Sequence, residues 1–162
     1  MKNKRLVLTA LYIVFALGAD GQGSSAKPPF TIIISIETPT VKAGSRVEVN
    51  GRLTNTSKRP LDASGCYCGP SGLDTYLTWE VRDDKGNFVA KRVYQHPEPA
   101  TGSAILDRII KPGESIGGGN EISRLYDMTK PGQYAIQASR ATTKEMGGGV
   151  VKSNVVLLTV TP

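Results

Sequence analysis

The stretch from Tyr76 to Tyr94 restricts this chain to β structure more than any other. Leu77, Trp79 and Val81 alternate with Thr78, Glu80 and Arg82. A period of two puts the apolar side chains on one face of a strand and the polar ones on the other. Asp84-Lys85-Gly86-Asn87 follows, and its glycine lets the backbone take the positive φ of a tight turn. Phe88, Val89, Val93 and Tyr94 then resume β-prone residues, so the expectation is a β-hairpin. It carries the only tryptophan of the chain. A lone Trp facing inward from a strand is first of all a core residue.

The same alternation recurs on both sides. Phe30 to Glu37 is β-branched and reads as a first strand; Val47, Val49 and Leu53 share one face of a second. Ile105 to Ile110 is expected as a strand, ended by Lys111-Pro112-Gly113-Glu114-Ser115. Ile116, Ile122 and Leu125 suggest a weaker strand around Gly117-Gly118-Gly119. Gln133 to Arg140 alternates again, and Val150 to Thr161 is almost continuously β-prone. Both glycine triplets, Gly117 to Gly119 and Gly147 to Gly149, lack the strand-to-helix setting of a phosphate loop and read as flexible tips. Helical spacing appears over no convincing length. Seven to nine short strands with turns between them predict an all-β fold, an antiparallel sandwich.

The first residues stand apart. Lys2, Lys4 and Arg5 precede a twelve-residue apolar run, Leu6 to Leu17, with small residues after it. This pattern predicts a secretory signal peptide within residues 1–26, cut near residue 18 or 26, and is short for a membrane span. One domain over residues 27–162 is then expected, in a secreted or periplasmic protein. Cleavage at 26 takes three of the twenty Lys and Arg and one of the fourteen acids, leaving a net charge of about +4. The remaining basic residues are scattered without aromatic interleaving, which argues against nucleic acid as a partner.

Leu125-Tyr126-Asp127 followed by Pro131-Gly132-Gln133-Tyr134 resembles the passage from strand E into strand F of an immunoglobulin-like sandwich. The resemblance makes Tyr134 a corner tyrosine whose hydroxyl returns to upstream backbone, and Trp79 the strand C tryptophan. Ile136 stands where antibody domains place a cysteine, so no inter-sheet disulfide is implied. The order of Leu53-Thr54-Asn55-Thr56-Ser57, Val81 to Val89, Lys111 to Ser115 and Pro131 to Tyr134 is also similar to the bacterial intracellular proteinase inhibitor (BsuPI-type) family. That similarity implies the same sandwich and, as an alternative function, proteinase inhibition. It transfers no reactive-site residue.

Chemistry-bearing residues are few. Cys66 and Cys68 would oxidise in an exported protein. Two residues apart on a strand their Cα atoms sit about 6.5–7 Å from each other, at the limit for a disulfide. A local or intermolecular disulfide is the expectation, with an unpaired pair or a metal site as alternatives. A metal would need His96, Met128 or Met146, which are not spaced as in blue-copper sandwiches. His96 lies in a proline-flanked loop beside Glu98, and no nucleophile elbow accompanies it. Asp83-Asp84 reads as turn chemistry rather than a calcium loop. Asn55-Thr56-Ser57 has the form of a glycosylation sequon.

No cofactor and no enzymatic activity are expected. The function anticipated from sequence is a non-enzymatic module that binds or scaffolds another exported protein. Its candidate surface is the irregular loop Leu61 to Thr75, around Tyr67, Gly69 and Pro70, together with the loop Gln95 to Ala104 bearing His96, because contacts are built on loops held by a rigid sheet.

Overall fold

The computed structural model describes residues 27–62, 77–92, 109–146 and 148–162, together with the backbone of residues 65–66 and 105–106. The predicted signal peptide lies outside the described residues. The fold is mostly β. Phe30–Ile36 (β1), Glu48–Asn55 (β3) and Ser115–Glu121 (β9) form one antiparallel sheet in the order β1-β3-β9. Thr40–Lys42 (β2), Thr78–Arg82 (β6), Gly132–Thr142 (β10) and Gly149–Thr161 (β11) form a second, in the order β2-β11-β10-β6. Four two-residue segments make up two short ladders: Leu61–Asp62 (β4) with Ile109–Ile110 (β8), and Gly65–Cys66 (β5) with Ile105–Leu106 (β7).

Alternation places the core. Ile32 and Ile34 on β1, Val49 and Leu53 on β3, and Ile116 on β9 are buried; so are Trp79 and Val81 on β6, Ile136 on β10, and Leu158 and Val160 on β11. All belong to one hydrophobic cluster, so the two sheets share a core. Trp79 is 5 % exposed and packs near Gly51, whose missing Cβ would sit 3.3 Å from Leu77 Cδ1 and 4.0 Å from the Trp79 ring. A side chain at residue 51 would press on Leu77 first, and the indole lies just beyond in ordinary contact.

Polar side chains fasten the layers. Asn154 on β11 accepts from Ile34 N–H at 2.9 Å and donates to Ile34 C=O at 2.9 Å, so its amide completes the free edge of β1 as a strand would. Ser153 accepts from Ala138 N–H at 2.9 Å, where the β10–β11 register shifts between Gln137 and Ser139. Tyr134 donates its hydroxyl to Lys130 C=O at 2.7 Å, tying the entry of β10 to backbone four residues upstream. Tyr126 donates to Trp79 C=O, and burial, then the Glu80 carboxylate, push its phenol pKa up.

Several expectations are corrected. The second sheet is not wholly antiparallel: β2 runs parallel to β11, because the chain turns at Pro39 and crosses from one sheet to the other. The described strand segments number eleven rather than seven to nine, since residues between β3 and β6 pair with residues 105–110 instead of forming a plain loop. Among the described residues the expected return arm makes one bridge to its hairpin partner, Phe88 to Arg82, and one elsewhere, Lys91 to Tyr126; Val93 and Tyr94 lie outside them. Phe88 is 66 % exposed, with the Arg82 guanidinium 3.9 Å above its ring. Ile122 and Leu125 belong to a four-residue helix (α1, Ile122–Leu125), too short to announce itself by periodicity. Gly117 to Gly119 are not a tip: they lie in β9, paired with Arg52, Gly51 and Asn50. Of the second triplet, Gly148 precedes β11 at φ +65°, Gly149 opens β11 at φ +117°, and Gly147 lies outside the described residues.

Candidate functional site

The end of β3 organises the region that carries the candidate loops. Asn55 is fully buried. Its Oδ1 accepts from Ser57 N–H at 2.9 Å and from the Ser57 hydroxyl at 2.8 Å. Its Nδ2 donates to Arg59 C=O and to Ile110 C=O, both at 2.8 Å. The Ser57 hydroxyl accepts from Arg59 N–H at 3.2 Å, and Ser57 and Arg59 therefore form a tight polar turn on a buried amide. One side chain sets both the turn after β3 and the position of β8. In the folded state this Nδ2 is buried and holds two carbonyls, so it is closed to modification there.

From that turn the chain enters β4, where buried Leu61 pairs with buried Ile110 and Asp62 with Ile109. β5 then pairs Gly65 with Leu106 and Cys66 with Ile105. The offset between partners is the same in both ladders, so the second continues the first in step. The first candidate loop, 61–75, thus starts within this two-ladder ribbon, and the second, 95–104, ends next to Ile105 on its opposite side, although the two are far apart in sequence. Tyr67, Cys68, Gly69, Pro70 and His96 lie outside the described residues, as does the Cys66 side chain, and with them the predicted disulfide. Leu77, where the first loop rejoins the sheet, is buried in the core.

The base of the ribbon is basic and braced. Arg140 on β10 donates through Nη2 to Asp62 C=O at 3.3 Å, and its guanidinium lies 5.8 Å from the centroid of the Phe30 ring. Lys58, Arg59 and Lys111 are exposed beside it. The Glu114 carboxylate accepts from Lys111 N–H at 2.9 Å and closes the turn into β9. Sequence reading missed both Asn55 and Arg140 as organisers. Asn55 had a signal in an Asn-x-Ser placed directly after a strand, but Arg140 looked like one more outward charge.

Other singled-out groups are occupied locally. The Asp83 carboxylate accepts from Lys85 N–H, Asn87 N–H and Asn87 Nδ2 at 3.0, 2.8 and 3.2 Å. Slight burial pushes its pKa up, but the hydrogen bonds from Asn87 and Lys85 outweigh this and hold it below the usual carboxylate range. Trp79 and Tyr134 are both core side chains at 5 % exposure. Among the described residues no three of His, Cys, Asp and Glu gather as a metal site would require, and no helix is long and apolar enough to cross a membrane. No protein-family model matches the chain, and no curated protein matches it in sequence.

Proposed function

We propose that the chain is an exported, non-enzymatic immunoglobulin-like module that binds another exported protein through the loops at the end of its β4–β8 and β5–β7 ribbon. The observation that supports this reading is the in-step pairing of 61–62 with 109–110 and of 65–66 with 105–106, which joins the chain next to both candidate loops on a base fixed by Asn55. The sheet orders β1-β3-β9 and β2-β11-β10-β6 around one core support the immunoglobulin-like assignment, as does the Tyr134 hydroxyl bonded to Lys130 C=O. Binding surfaces gain specificity from loops mounted on such rigid scaffolds. Replacing residues 67–75 with a Gly/Ser linker, with the ribbon kept, is expected to abolish capture of exported proteins from the source while leaving the thermal unfolding transition in place. Capture that survives the replacement refutes the loop assignment.

Proteinase inhibition is the second reading, and one observation favours it. Lys58 and Arg59 are exposed on a turn whose backbone is pinned by Asn55 and Ser57, the kind of rigid basic segment a trypsin-like pocket accepts and cleaves slowly. Titration against a panel of secreted serine proteases separates the readings. Stoichiometric inhibition lost on Lys58→Ala or Arg59→Ala supports inhibition, and full residual protease activity excludes it for the panel.

A further inference from the structure

We propose that two copies of this chain join edge to edge through β9, antiparallel about Gly118, with Arg52 of each copy reaching Glu48 of the other. Among the described residues β9 is paired on one side only. Ile122 N–H donates to Val47 C=O, and the residues in step with that pair, Asn120, Gly118 and Ile116, turn their backbone groups toward β3. Ser115, Gly117, Gly119 and Glu121 turn theirs the other way, where no strand lies among the described residues. Edge strands are ordinarily guarded by a lysine, a proline, a bulge or a covering segment. This one has an unbroken register with three successive glycines at its centre.

The register of the contact follows from geometry. Antiparallel pairing must set outward-turned backbone groups opposite outward-turned ones. A two-fold axis at Gly118 does so: Gly117 falls opposite Gly119 of the second copy, and Ser115 opposite Glu121 of the second copy. No like charges meet directly across the seam.

Charge then selects the occupant. Arg52, the β3 residue opposite Gly117, is exposed and has no ion pair among the described residues. Gly117 has no side chain to stand in its way. On the same sheet face the Glu48 carboxylate leans over Gly119 so closely that Oε1 occupies the place of a Cβ there, while Oε2 pairs with Arg46 at 3.0 Å. In the paired arrangement the row running from Arg52 over Gly117 continues onto Gly119 of the second copy, beneath the carboxylate of its Glu48. Strands lie about 4.8 Å apart, so Arg52 spans the two spacings to Gly119 of the second copy and Glu48 of that copy spans the third. The two-fold repeats the pair, as an isologous contact requires. An extended peptide from another protein would find the same backbone groups but no fixed carboxylate for Arg52; a second copy supplies both. The two three-stranded sheets become one of six strands.

Sedimentation velocity of the purified protein over a rising concentration series tests this, independently of the loops at the ribbon. The expected result is a monomer–dimer equilibrium whose dissociation constant rises at least tenfold in Arg52→Glu and in Glu48→Arg. An equimolar mixture of the two variants should dimerise again, because the exchanged charges then face each other. The register is tested in a Cys66→Ser, Cys68→Ser background, where Ser115→Cys chains mixed with Glu121→Cys chains should cross-link on oxidation. The opposed Cα atoms would lie about 5.5 Å apart, within disulfide range, while either chain alone should not cross-link. A protein monomeric throughout, a dimer indifferent to both charge reversals, or cross-linking equal in the unmixed chains overturns the proposal. Circular dichroism of the variants confirms that each is folded.

Discussion

Replacing Asn55 with alanine removes four hydrogen bonds, but their losses are unequal. Ser57 N–H keeps a second acceptor in Pro29 C=O at 3.0 Å, and the Ser57 hydroxyl, released from Asn55, can give its one proton to Arg59 C=O at 2.8 Å. Ile110 C=O loses its side-chain donor, on a residue 1 % exposed in the core. An unsatisfied buried carbonyl costs about 1–3 kcal/mol, and the vacated amide volume adds a cavity term, so a loss of roughly 2–4 kcal/mol is expected. Equilibrium urea unfolding should show the midpoint falling with an unchanged slope, the sign of lost stability rather than a changed denatured state. Asn55→Asp should cost at least as much, because it keeps the acceptor for Ser57 but sets a carboxylate oxygen against Ile110 C=O. Thr56→Ala, whose hydroxyl donates from an exposed site to Pro28 C=O, serves as the control and should change stability by less than about 0.5 kcal/mol. A loss under about 1 kcal/mol in Asn55→Ala refutes the claim that this amide is the hinge pin of the ribbon.

Three further outcomes are expected. Asn154→Ala should destabilise by about 1–3 kcal/mol and speed hydrogen exchange at the Ile34 amide, whose acceptor it removes; unchanged exchange there would count against the side chain's strand-like role. Tyr134→Phe should cost about 1 kcal/mol in the same unfolding assay, losing the bond to Lys130 C=O but keeping the ring's packing. Asp83 has a folded pKa below its ordinary value, so the support it gives the turn is present above the unfolded pKa and lost as pH falls through the folded one. The Lys85 and Asn87 amide resonances should therefore stay in place through the ordinary carboxylate range and move only below it, and movement at or above the usual aspartate pKa would contradict the geometry.

What the sequence disclosed follows the range of the interaction concerned. β1, β3, β6 and β10 were legible because alternation is local: Ile32, Ile34, Val49, Trp79, Val81 and Ile136 each announce their face through immediate neighbours. Phe88 misled for the same reason. Its neighbours alternate suitably, but a strand needs a continuous pairing edge, and only a single bridge to Arg82 is made. The glycine triplet of β9 has no side chains to alternate, so its strand character depends wholly on pairing with β3. Asn154 and Ile34 meet across 120 residues of chain, and nothing near either residue records the contact. At the candidate site, the turn residues after β3 were visible as a loop boundary. The common ladder of 61–66 with 105–110 was not, because each two-residue segment is below the length at which a period can be read.

The parallel pairing of β2 with β11 also bears on how the fold takes tension. Thr40, Val41 and Lys42 lie beside Thr159, Val160 and Thr161. Ala43 N–H bonds Thr161 C=O at 2.8 Å and Thr159 N–H bonds Pro39 C=O at 2.8 Å within the same patch. A pull on the chain ahead of β2 and beyond β11 drags these two strands lengthwise past each other. Their hydrogen bonds then carry the load in shear and fail together, rather than opening one after another like a zip. Three-residue β2 therefore resists that pull in shear, once the load has passed through β1.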